Sequence, residues 1–576
     1  MVNRVRMILA LLDSGERIKL SGILSISLLN GAVCTAGIAS IVPFIGLVSR
    51  PEIAETNSFI LKFSEISGIA SYPGLVVLFG CIALLLLILG NVLSALDDWY
   101  GELFGSRKEL QLSARLLENY LASDVLEFEQ KNSGERVKEV VSDIDRVIMS
   151  TLYSLMDLVG QSISCIGIVG LLLWIDASVA LIVFSGLSLF YFLINYLTST
   201  QLERLGEEHA DLESRMYSHV MEALQLQREI KLNEVSTYFV ERYRTPVGMM
   251  VRNSLKRSLI SDIPQYLLEI VAFGVLLCVA LYYVLLSDSG SGSVAIIGMY
   301  AVAAYRLIPM IASIFDNVED IWFDSAILES LVERLTQKSE QHDEAEAYPY
   351  GEVIEIRNGA FGYAAGHAHL FDSLNLQFPV GEMTCVKGKT GCGKSTVLAL
   401  LSGLYRLENG TVVANGQEVD VYSSKAWKRQ IGLVPPVINM MQASLYENIA
   451  LGKSLDDIDK ARVHEVCTLV ELDEHIQCLE NGYVSVYGEG GLSFSSGQLQ
   501  KIGLARALYR KPSLLLLDEC TDAFDLKTES IVLNRLKSID GMTIVFVSHR
   551  PSVMDMADRL IDLEELLVNQ VIIHGQ

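Results

Sequence analysis

Six long apolar stretches dominate the first 335 residues and constrain the fold more than any other feature of this chain. A helix needs about 20 consecutive apolar residues to cross the hydrocarbon core of a membrane, and each stretch is that long. Backbone groups inside a bilayer must be paired within the protein, which favours a bundle of helices. The mean hydropathy of +0.35 agrees with this prediction. The predicted spans cover residues 20–48, 73–96, 152–175, 177–197, 260–286 and 294–314.

Charge predicts how the spans are oriented. Two long polar stretches, 97–149 and 200–257, carry many Lys and Arg residues, whereas the three loops on the opposite side carry only Arg50 and Lys62. Basic loops stay on the cytoplasmic side, so both stretches and both termini are predicted to be cytoplasmic. We expect a multi-pass protein of the cytoplasmic (inner) membrane. A surface helix is expected over residues 1–17, and a short external helix over 57–67.

Several polar side chains fall at the depth of the predicted spans. A charge in lipid costs several kcal/mol, so these side chains are expected to face a shared cavity or to lie near an interface. One interpretation is contact with a substrate, for which Arg306, Glu269 and Asp262 are the candidates. The other is structural pairing inside the bundle, for instance between Arg306 and Glu269. The full set is Asp157, Gln161, Asn195, Asp262, Gln265, Glu269 and Arg306.

Composition excludes some functional classes. The formal net charge is −24, so nucleic acid is not an expected partner, because binding a polyanion requires a basic face. The nine cysteines form no C-x-x-C pair, which favours free thiols over a zinc site or a disulfide framework.

A glycine-rich motif in the last 240 residues matches the pattern G-x-x-x-x-G-K-[ST], typical of a loop that binds the phosphates of ATP. A short apolar strand precedes it and a helix follows it. Lys394 is expected to reach the β- and γ-phosphates, and the Ser395 hydroxyl to hold Mg²⁺. The predicted cofactors are therefore ATP and Mg²⁺. The motif and the residue after it are Gly388, Lys389, Thr390, Gly391, Cys392, Gly393, Lys394, Ser395 and Thr396.

Three further residue groups fit the same chemistry. A run of four leucines ends in Asp518 and Glu519, which a buried strand would deliver beside the phosphate loop. Asp518 is a candidate Mg²⁺ ligand and Glu519 a candidate general base. His549 ends another apolar strand and is a candidate for contact with the γ-phosphate. Tyr363 is placed to stack on adenine.

A second anion site is expected at the start of a helix that carries Lys and Arg. Small residues at a helix N-terminus expose backbone N–H groups to phosphate. One chain then has two phosphate-binding ends, which predicts that two copies close head to tail. The residues are Ser495, Ser496, Gly497 and Gln498.

Together these residues resemble the exporter type of ABC transporter, over nearly the whole chain. The resemblance implies a membrane α-helical bundle of six spans, 1–335, an acidic linker, 336–352, and an α/β P-loop ATPase domain with a helical subdomain, 353–576. It implies a catalytic role for Glu519, His549 and Lys394, a nucleotide contact for Asp525 in the D-loop 522–525, and coupling helices near 123–129 and 223–233. A second half-transporter, in a homodimer or a heterodimer, is the implied partner.

The chain departs from the family pattern at several positions. The family's Q-loop glutamine falls on Pro436, which has no side-chain ligand, so that role is vacant or passes to Gln442. The signature and the following loop carry Phe494, Ser496, Asp522 and Phe524 instead of the usual residues. Hydrolysis is still expected, since Glu519 and His549 remain. Two alternatives stay open: a heterodimer subunit with a weakened signature, and an ATP-gated membrane protein with reduced hydrolysis.

Two stretches, 39–45 and 304–309 running on to 329–331, are most similar to the bacterial flippases of lipid-linked oligosaccharides. The implied function is ATP-driven export or flipping of an amphipathic substrate, with a lipid-linked oligosaccharide as one candidate and another amphiphile or a peptide as alternatives. Arg306 is the only clear basic residue at span depth, which disfavours a diphosphate substrate.

Overall fold

The computed structural model describes residues 2–49, 58–69, 71–130, 133–175, 177–286, 293–336, 351–363, 369–488 and 493–567. The chain divides into two compact units. The first unit comprises Met1–Ala122 and Lys131–Lys338, and the second comprises Ser123–Gln130 and Ser339–Gln576.

Helices account for the regular structure of the N-terminal half. Two π-helical segments, Glu139–Asp143 and Val147–Leu152, flank the short helix α7 and join it to its neighbours. The helices are α1 Val2–Ala10, α2 Ser14–Ser49, α3 Ser58–Ser67, α4 Tyr72–Ala122, α5 Val125–Gln130, α6 Ser133–Lys138, α7 Ile144–Arg146, α8 Tyr153–Ile175, α9 Ala177–Gln225, α10 Gln227–Leu232, α11 Ser236–Leu286, α12 Ser293–Phe323 and α13 Ser325–Thr336.

Four segments within the described residues are long and apolar enough to cross a membrane: Ser14–Val48, Tyr72–Ala122, Gly134–Trp174 and Tyr300–Phe323. The other two predicted spans fall within α9 and α11, and some of their side chains lie outside the described set. The observed architecture is thus the predicted helical membrane domain, fused to an α/β domain.

The spanning helices continue into the polar stretches without a break. Helix α4 has 51 residues, which corresponds to about 77 Å at 1.5 Å per residue and exceeds the hydrocarbon thickness of about 30 Å. Its apolar part exposes Leu84, Leu85 and Ile88 by 59%, 63% and 54%. Such exposure is what a lipid-facing surface requires.

Two small clusters fix the ends of this bundle. Ile60 of α3 is buried beside Leu47, Leu75 and Phe79, so the predicted short helix is present and packs on the ends of α2 and α4. The predicted surface helix at 1–17 ends at Ala10. Its Ile8 is buried in a cluster with Leu112 and Leu116 of α4. Part of the apolar face of this helix is therefore covered by protein. Residues 51–57 of the predicted external segment lie outside the described set.

The second unit contains two sheets. An antiparallel sheet has the strand order β2-β1-β4-β5, and a parallel sheet has the order β6-β7-β8-β3-β9. The strands are β1 Val353–Phe361, β2 Phe371–Pro379, β3 Met383–Lys387, β4 Asn409–Ala414, β5 Gln417–Val419, β6 Ile431–Val434, β7 Leu514–Asp518, β8 Thr543–Val547 and β9 Arg559–Asp562.

Helices pack around these sheets and form a separate helical region between β6 and β7. Every residue of β7 and of β8 is buried, as expected for the central strands of a covered parallel sheet. The helices of this unit after α5 are α14 Lys394–Ser402, α15 Lys425–Arg429, α16 Leu445–Ile449, α17 Lys460–Leu469, α18 Asp473–Gln477, α19 Ser496–Tyr509, α20 Leu526–Lys537 and α21 Pro551–Met554.

Helix α5 belongs to the second unit although its sequence lies in the first 335 residues. Leu126 packs against the core cluster that includes Phe361 and Trp427. The predicted domain boundaries, residues 1–335 and 353–576, stay a prediction. The compact units differ from them at α5, which groups with the ATPase residues. Most of the predicted linker, residues 337–350, lies outside the described set.

Candidate nucleotide-binding and substrate sites

The parallel sheet brings the predicted nucleotide residues to one edge. Carboxyl ends of parallel strands meet at the same side of a sheet. The phosphate loop follows β3. Asp518 is the last residue of β7 and Glu519 is the next residue. His549 comes two residues after the end of β8. Strand β8 lies between β3 and β7. The structure thus assembles residues that are more than 150 positions apart in the sequence.

The phosphate loop is shaped by glycines in backbone conformations that other residues rarely adopt. Gly391 and Gly393 have φ of 85° and 99°. A Cβ at Gly393 would also collide with the ring of Phe371, so glycine is required there twice over. Helix α14 begins at the next residue. The loop therefore presents backbone N–H groups at a helix N-terminus, the geometry of an anion site.

Lys394 and Ser395 occupy the first turn of α14. The buried Lys394 Nζ donates to the carbonyl oxygens of Gly388, at 3.0 Å, and Lys389, at 2.9 Å. Ser395 Oγ donates to Asp518 Oδ1 at 3.1 Å. A hydroxyl and a carboxylate side by side form the oxygen donor set that Mg²⁺ prefers. These residues fit a magnesium site.

Asp518 lies in an environment that disfavours its charge. Burial raises the pKa of its carboxyl and the neighbouring Glu519 raises it further, while the Ser395 hydrogen bond and the Lys394 charge act in the opposite direction. The side chain is 8% exposed. A divalent cation would relieve this imbalance, because it would favour the ionised carboxylate.

Glu519 is held in an unusual backbone conformation, with φ of 49°. A non-glycine residue in this region stores strain of about 1–3 kcal/mol, and such residues cluster at functional sites. His549 Nε2 lies 3.3 Å from Glu519 Oε1. Both side chains are about half exposed, at 40% for Glu519 and 44% for His549. The geometry presents a carboxylate and an imidazole together to solvent at the strand edge.

Tyr363 lies beside the phosphate loop through Thr396. The Tyr363 hydroxyl and Thr396 Oγ1 are 2.6 Å apart. The ring packs edge-on against Phe361, with centroids 5.2 Å apart, and remains 46% exposed. An exposed aromatic face next to a phosphate loop is the arrangement expected for stacking on a base.

The remaining loop residues lie at the surface of the same turn. Lys389 Nζ pairs with Glu564 Oε1 at 2.5 Å, and that hydrogen bond raises the pKa of the lysine. Thr390 and Gly391 are exposed, and Cys392 is half-buried. These residues contribute mainly backbone to the loop.

The predicted second anion site is the N-terminus of α19. Ser495 caps this helix in a reciprocal arrangement: its Oγ accepts from the Gln498 N–H, and Gln498 Oε1 accepts from the Ser495 N–H. Gln498 Nε2 also lies 2.9 Å from His475 Nε2. A Cβ at Gly497 would lie 2.8 Å from the carbonyl oxygen of Ala523, so the helix start packs closely on that loop. Within the described residues, Ser495 and Gln498 make no hydrogen bond to the phosphate loop.

Two residues that the sequence did not single out hold the loop 522–525. Gln500 Nε2 donates to the Glu519 carbonyl at 3.4 Å, and Gln500 Oε1 accepts from the Ala523 N–H at 3.1 Å. Arg550 Nη1 donates to the Phe524 carbonyl at 3.1 Å. The position of Arg550 directly after His549 is a sequence signal, whereas nothing in the sequence distinguishes Gln500.

Asp525, predicted to contact nucleotide, caps α20. Its carboxylate accepts from the N–H groups of Lys527 and Thr528, and the Thr528 bond lowers its pKa.

Pro436 follows β6. Gln442, the proposed substitute for the missing glutamine, is exposed and lies against Gly488, with its Cγ 3.0 Å from the glycine's Cβ position. Residues 489–492, which precede the signature residues 494–498, lie outside the described set.

Arg306 lines a cavity of about 360 Å³ in the first unit. Helices α2, α4, α8 and α12 enclose it. Asp262 and Glu269 lie on α11, exposed and half-buried respectively, and neither lines this cavity. Arg306 Nη2 donates to Asn91 Oδ1 at 3.4 Å, and the alternative pair with Glu269 is not formed among the described residues. The lining residues used below are Asp97, Asp98, Asp157, Arg306, Pro309 and Met310.

Comparisons with known proteins agree with this division. A family model described as ABC transporter transmembrane region matches residues 56–306, and one described as ABC transporter matches residues 371–522. The solved structure of a bacterial Atm1-family ABC exporter with ATP bound superposes with a TM-score of 0.78 at 18% identity, over 95% of this chain and 94% of that chain. This likeness concerns the fold.

Curated relatives are similar over different lengths. The leukotoxin translocation ATP-binding protein LktB of Bibersteinia trehalosi is 26% identical over 84% of this chain and 68% of its own length. The ABC transporter BEA3 of Gibberella fujikuroi is 35% identical over 37% of this chain, a match that spans 16% of the relative's length. The two domain matches together show that the chain belongs to the ABC transporter family, and it joins one transmembrane region to one ATPase domain as an exporter half-transporter does.

Proposed function

We propose that this protein uses ATP hydrolysis to export or flip an amphipathic substrate across the cytoplasmic membrane by alternating access. The observation that carries the proposal is the meeting of two residue pairs at one sheet edge: Ser395 with Asp518 and His549 with Glu519. The first pair suits the metal that accompanies ATP, and the second suits water activation.

The residue roles follow from the geometry. Lys394 would exchange its carbonyl partners for the β- and γ-phosphates, and Tyr363 would stack on adenine. Ser395 and Asp518 would hold Mg²⁺, which neutralises phosphate charge when bound. Glu519 would accept the proton of the attacking water, and His549 would contact the γ-phosphate.

A second half-transporter is the proposed partner. Phosphate-binding N–H groups lie at two separate helix starts, α14 and α19, and the described contacts do not join them. Two chains arranged head to tail would place the Ser495–Gln498 segment of one chain against the phosphate loop of the other. A homodimer is the simplest arrangement, with the ATPase domains and both termini in the cytoplasm. A heterodimer is the alternative that Ser496 and Pro436 favour.

Substrate identity has several candidates. The resemblance of residues 39–45 and 304–309 to oligosaccharide flippases supports a lipid-linked oligosaccharide. The similarity to LktB, a leukotoxin translocation ATP-binding protein, supports another amphiphile or a peptide. The shared requirement is an amphipathic molecule that can enter a cavity between membrane helices.

Transport into sealed, inside-out vesicles tests the proposal. The expected result is ATP-dependent accumulation of a fluorescent amphiphile by the wild-type chain and none by Glu519→Gln. Glu480 is an exposed acid of the same unit, and Glu480→Gln is the matched control, expected to transport normally. Equal accumulation by wild type and Glu519→Gln would exclude transport driven by this site.

A further inference from the structure

The cavity around Arg306 carries more negative than positive charge. Its lining includes three aspartates, Asp97, Asp98 and Asp157, and one basic side chain, Arg306. The three aspartates also line a smaller cavity next to it, beside Tyr153. With all four groups ionised, the formal charge of the lining is about −2. Asp97 and Asp98 directly follow the predicted span 73–96, and Asp157 lies within the span 152–175, so this excess of negative charge favours a positively charged ligand.

Within the described part of the chain, the hydrogen-bond donors to these aspartates are neutral side chains. Asp157 Oδ2 accepts from Ser313 Oγ and from Asn317 Nδ2, both at 2.7 Å. Asp97 Oδ1 accepts from Ser27 Oγ at 2.9 Å. These bonds orient the carboxylates without cancelling their charge.

Arg306 does not neutralise them. Its guanidinium donates to Asn91 at 3.4 Å, and across the described residues it forms no ion pair with Asp97, Asp98 or Asp157. Asp98 has only a long hydrogen bond of 3.5 Å from the Tyr153 hydroxyl. Among the residues that the structure describes, no protein cation forms an ion pair with these three carboxylates.

We propose that this cavity binds the cationic head group of the transported substrate, an inference that rests on the proposed function. A positive group between Asp97, Asp98 and Asp157 would supply the missing charge, and Met310 and Pro309 offer apolar contact to the remainder of the molecule. The volume of about 360 Å³ is within the range of about 300–1,000 Å³ for pockets that hold small ligands. A diphosphate-linked lipid would meet three repelling carboxylates and one attracting guanidinium.

Two hydrophobic ions of nearly equal size and opposite charge test this proposal: tetraphenylphosphonium and tetraphenylborate. Their binding is measured by equilibrium dialysis against the full chain in lipid nanodiscs without nucleotide, with empty nanodiscs subtracted. We expect saturable binding of the cation and at least about tenfold weaker binding of the anion. This readout needs no ATP hydrolysis, so a failure of transport and a failure of the cation site can be told apart.

Neutral substitutions assign the binding to the cavity. Asp97→Asn with Asp98→Asn should weaken phosphonium binding at least about tenfold. Glu118→Gln removes one charge from an exposed position on the same helix, α4, and should leave binding within about twofold, the scale of a surface charge effect.

A variant that binds phosphonium more tightly is a useful control, because poor folding can weaken binding but cannot strengthen it. Arg306→Gln removes the one repelling cation and should tighten phosphonium binding about threefold or more, while weakening any binding of tetraphenylborate. Unchanged phosphonium binding in both the aspartate double variant and Arg306→Gln would overturn the proposal. Preferential binding of tetraphenylborate, lost in Arg306→Gln, would also overturn it and would favour an anionic lipid.

Discussion

The hydroxyl of Tyr405 donates a hydrogen bond of 2.8 Å to the carboxylate of Glu129. Tyr405 follows α14, the helix of the phosphate loop, and Glu129 lies on α5. The Tyr405 ring stacks on Phe361 with centroids 5.4 Å apart, and Phe361 contacts Tyr363. Aromatic contacts thus connect the proposed adenine-stacking ring to Tyr405, and the hydrogen bond to Glu129 connects Tyr405 to α5.

Tyr405→Phe should weaken the link between ATP use and α5. The variant keeps the aromatic stack and removes one solvent-exposed hydrogen bond, worth about 1 kcal/mol. We expect near-normal basal ATPase activity and about fivefold less stimulation by substrate. A double-mutant cycle with Glu129→Gln checks the assignment, since the effects of a shared contact do not add. Full additivity would mean that the contact carries no coupling.

Lys394→Met should abolish tight ATP binding. The ammonium group is the only side-chain cation that the loop directs inward, and its loss should lower affinity at least about tenfold. Binding of a fluorescent ATP analogue measures the change. Lys425 is exposed at the start of α15, and Lys425→Met should bind as the wild type does. Retained affinity in Lys394→Met would remove this lysine from the site.

Asp518→Asn should stabilise the protein in the absence of Mg²⁺. Burial raises the pKa of Asp518, so its contribution to stability is present below the unfolded pKa and is lost as pH rises through the folded pKa. A neutral amide avoids that loss. We expect a thermal midpoint a few degrees above wild type at pH 7 in EDTA, with the difference shrinking as pH falls toward about 4.

Asp525→Asn is the matched contrast for that measurement. The pKa of Asp525 is lowered by its bond to Thr528, so its contribution is present above the unfolded pKa and is lost as pH falls through the folded pKa. This variant should therefore be less stable than wild type at neutral pH. If both variants shifted stability in the same direction, burial of Asp518 would not be the controlling effect.

Gln500→Leu should slow hydrolysis about tenfold while leaving ATP affinity unchanged. The amide bridges the Glu519 carbonyl and the Ala523 N–H, and misplacing a general base costs rate more than binding. Single-turnover hydrolysis separates the two effects. Gln500→Glu keeps the acceptor for Ala523 and should restore part of the rate. Normal turnover in Gln500→Leu would show that the strained Glu519 backbone is held by other contacts.

Much of this architecture is readable from local sequence patterns. Apolar stretches predicted the spanning helices because lipid imposes length and composition on each segment separately. Glycine spacing predicted the phosphate loop because each backbone position with positive φ requires a glycine at that position in the sequence. Asp518 and Glu519 were found since a buried strand delivers both to the sheet edge.

Other features depend on contacts between distant residues and were not predictable. The resemblance implied a coupling helix near 123–129, and α5 lies there. The packing of Leu126 against the cluster that contains Trp427 depends on residues about 300 positions away, which no local pattern encodes. Arg306 and Asp157 were each recognised at span depth. That Asp97 and Asp98 share their cavity, while Glu269 does not, follows only from how four helices pack.

The most direct test of the central claim is the ATPase activity of this chain alone, reconstituted in lipid, beside Glu519→Gln. The account predicts steady hydrolysis by the wild type, reduced in the variant by about 10²–10⁴-fold, the usual contribution of a general base. ATP should remain bound to the variant. Hydrolysis at equal rates in the two proteins would contradict the role of Glu519, and absence of hydrolysis in both would contradict a self-sufficient homodimer.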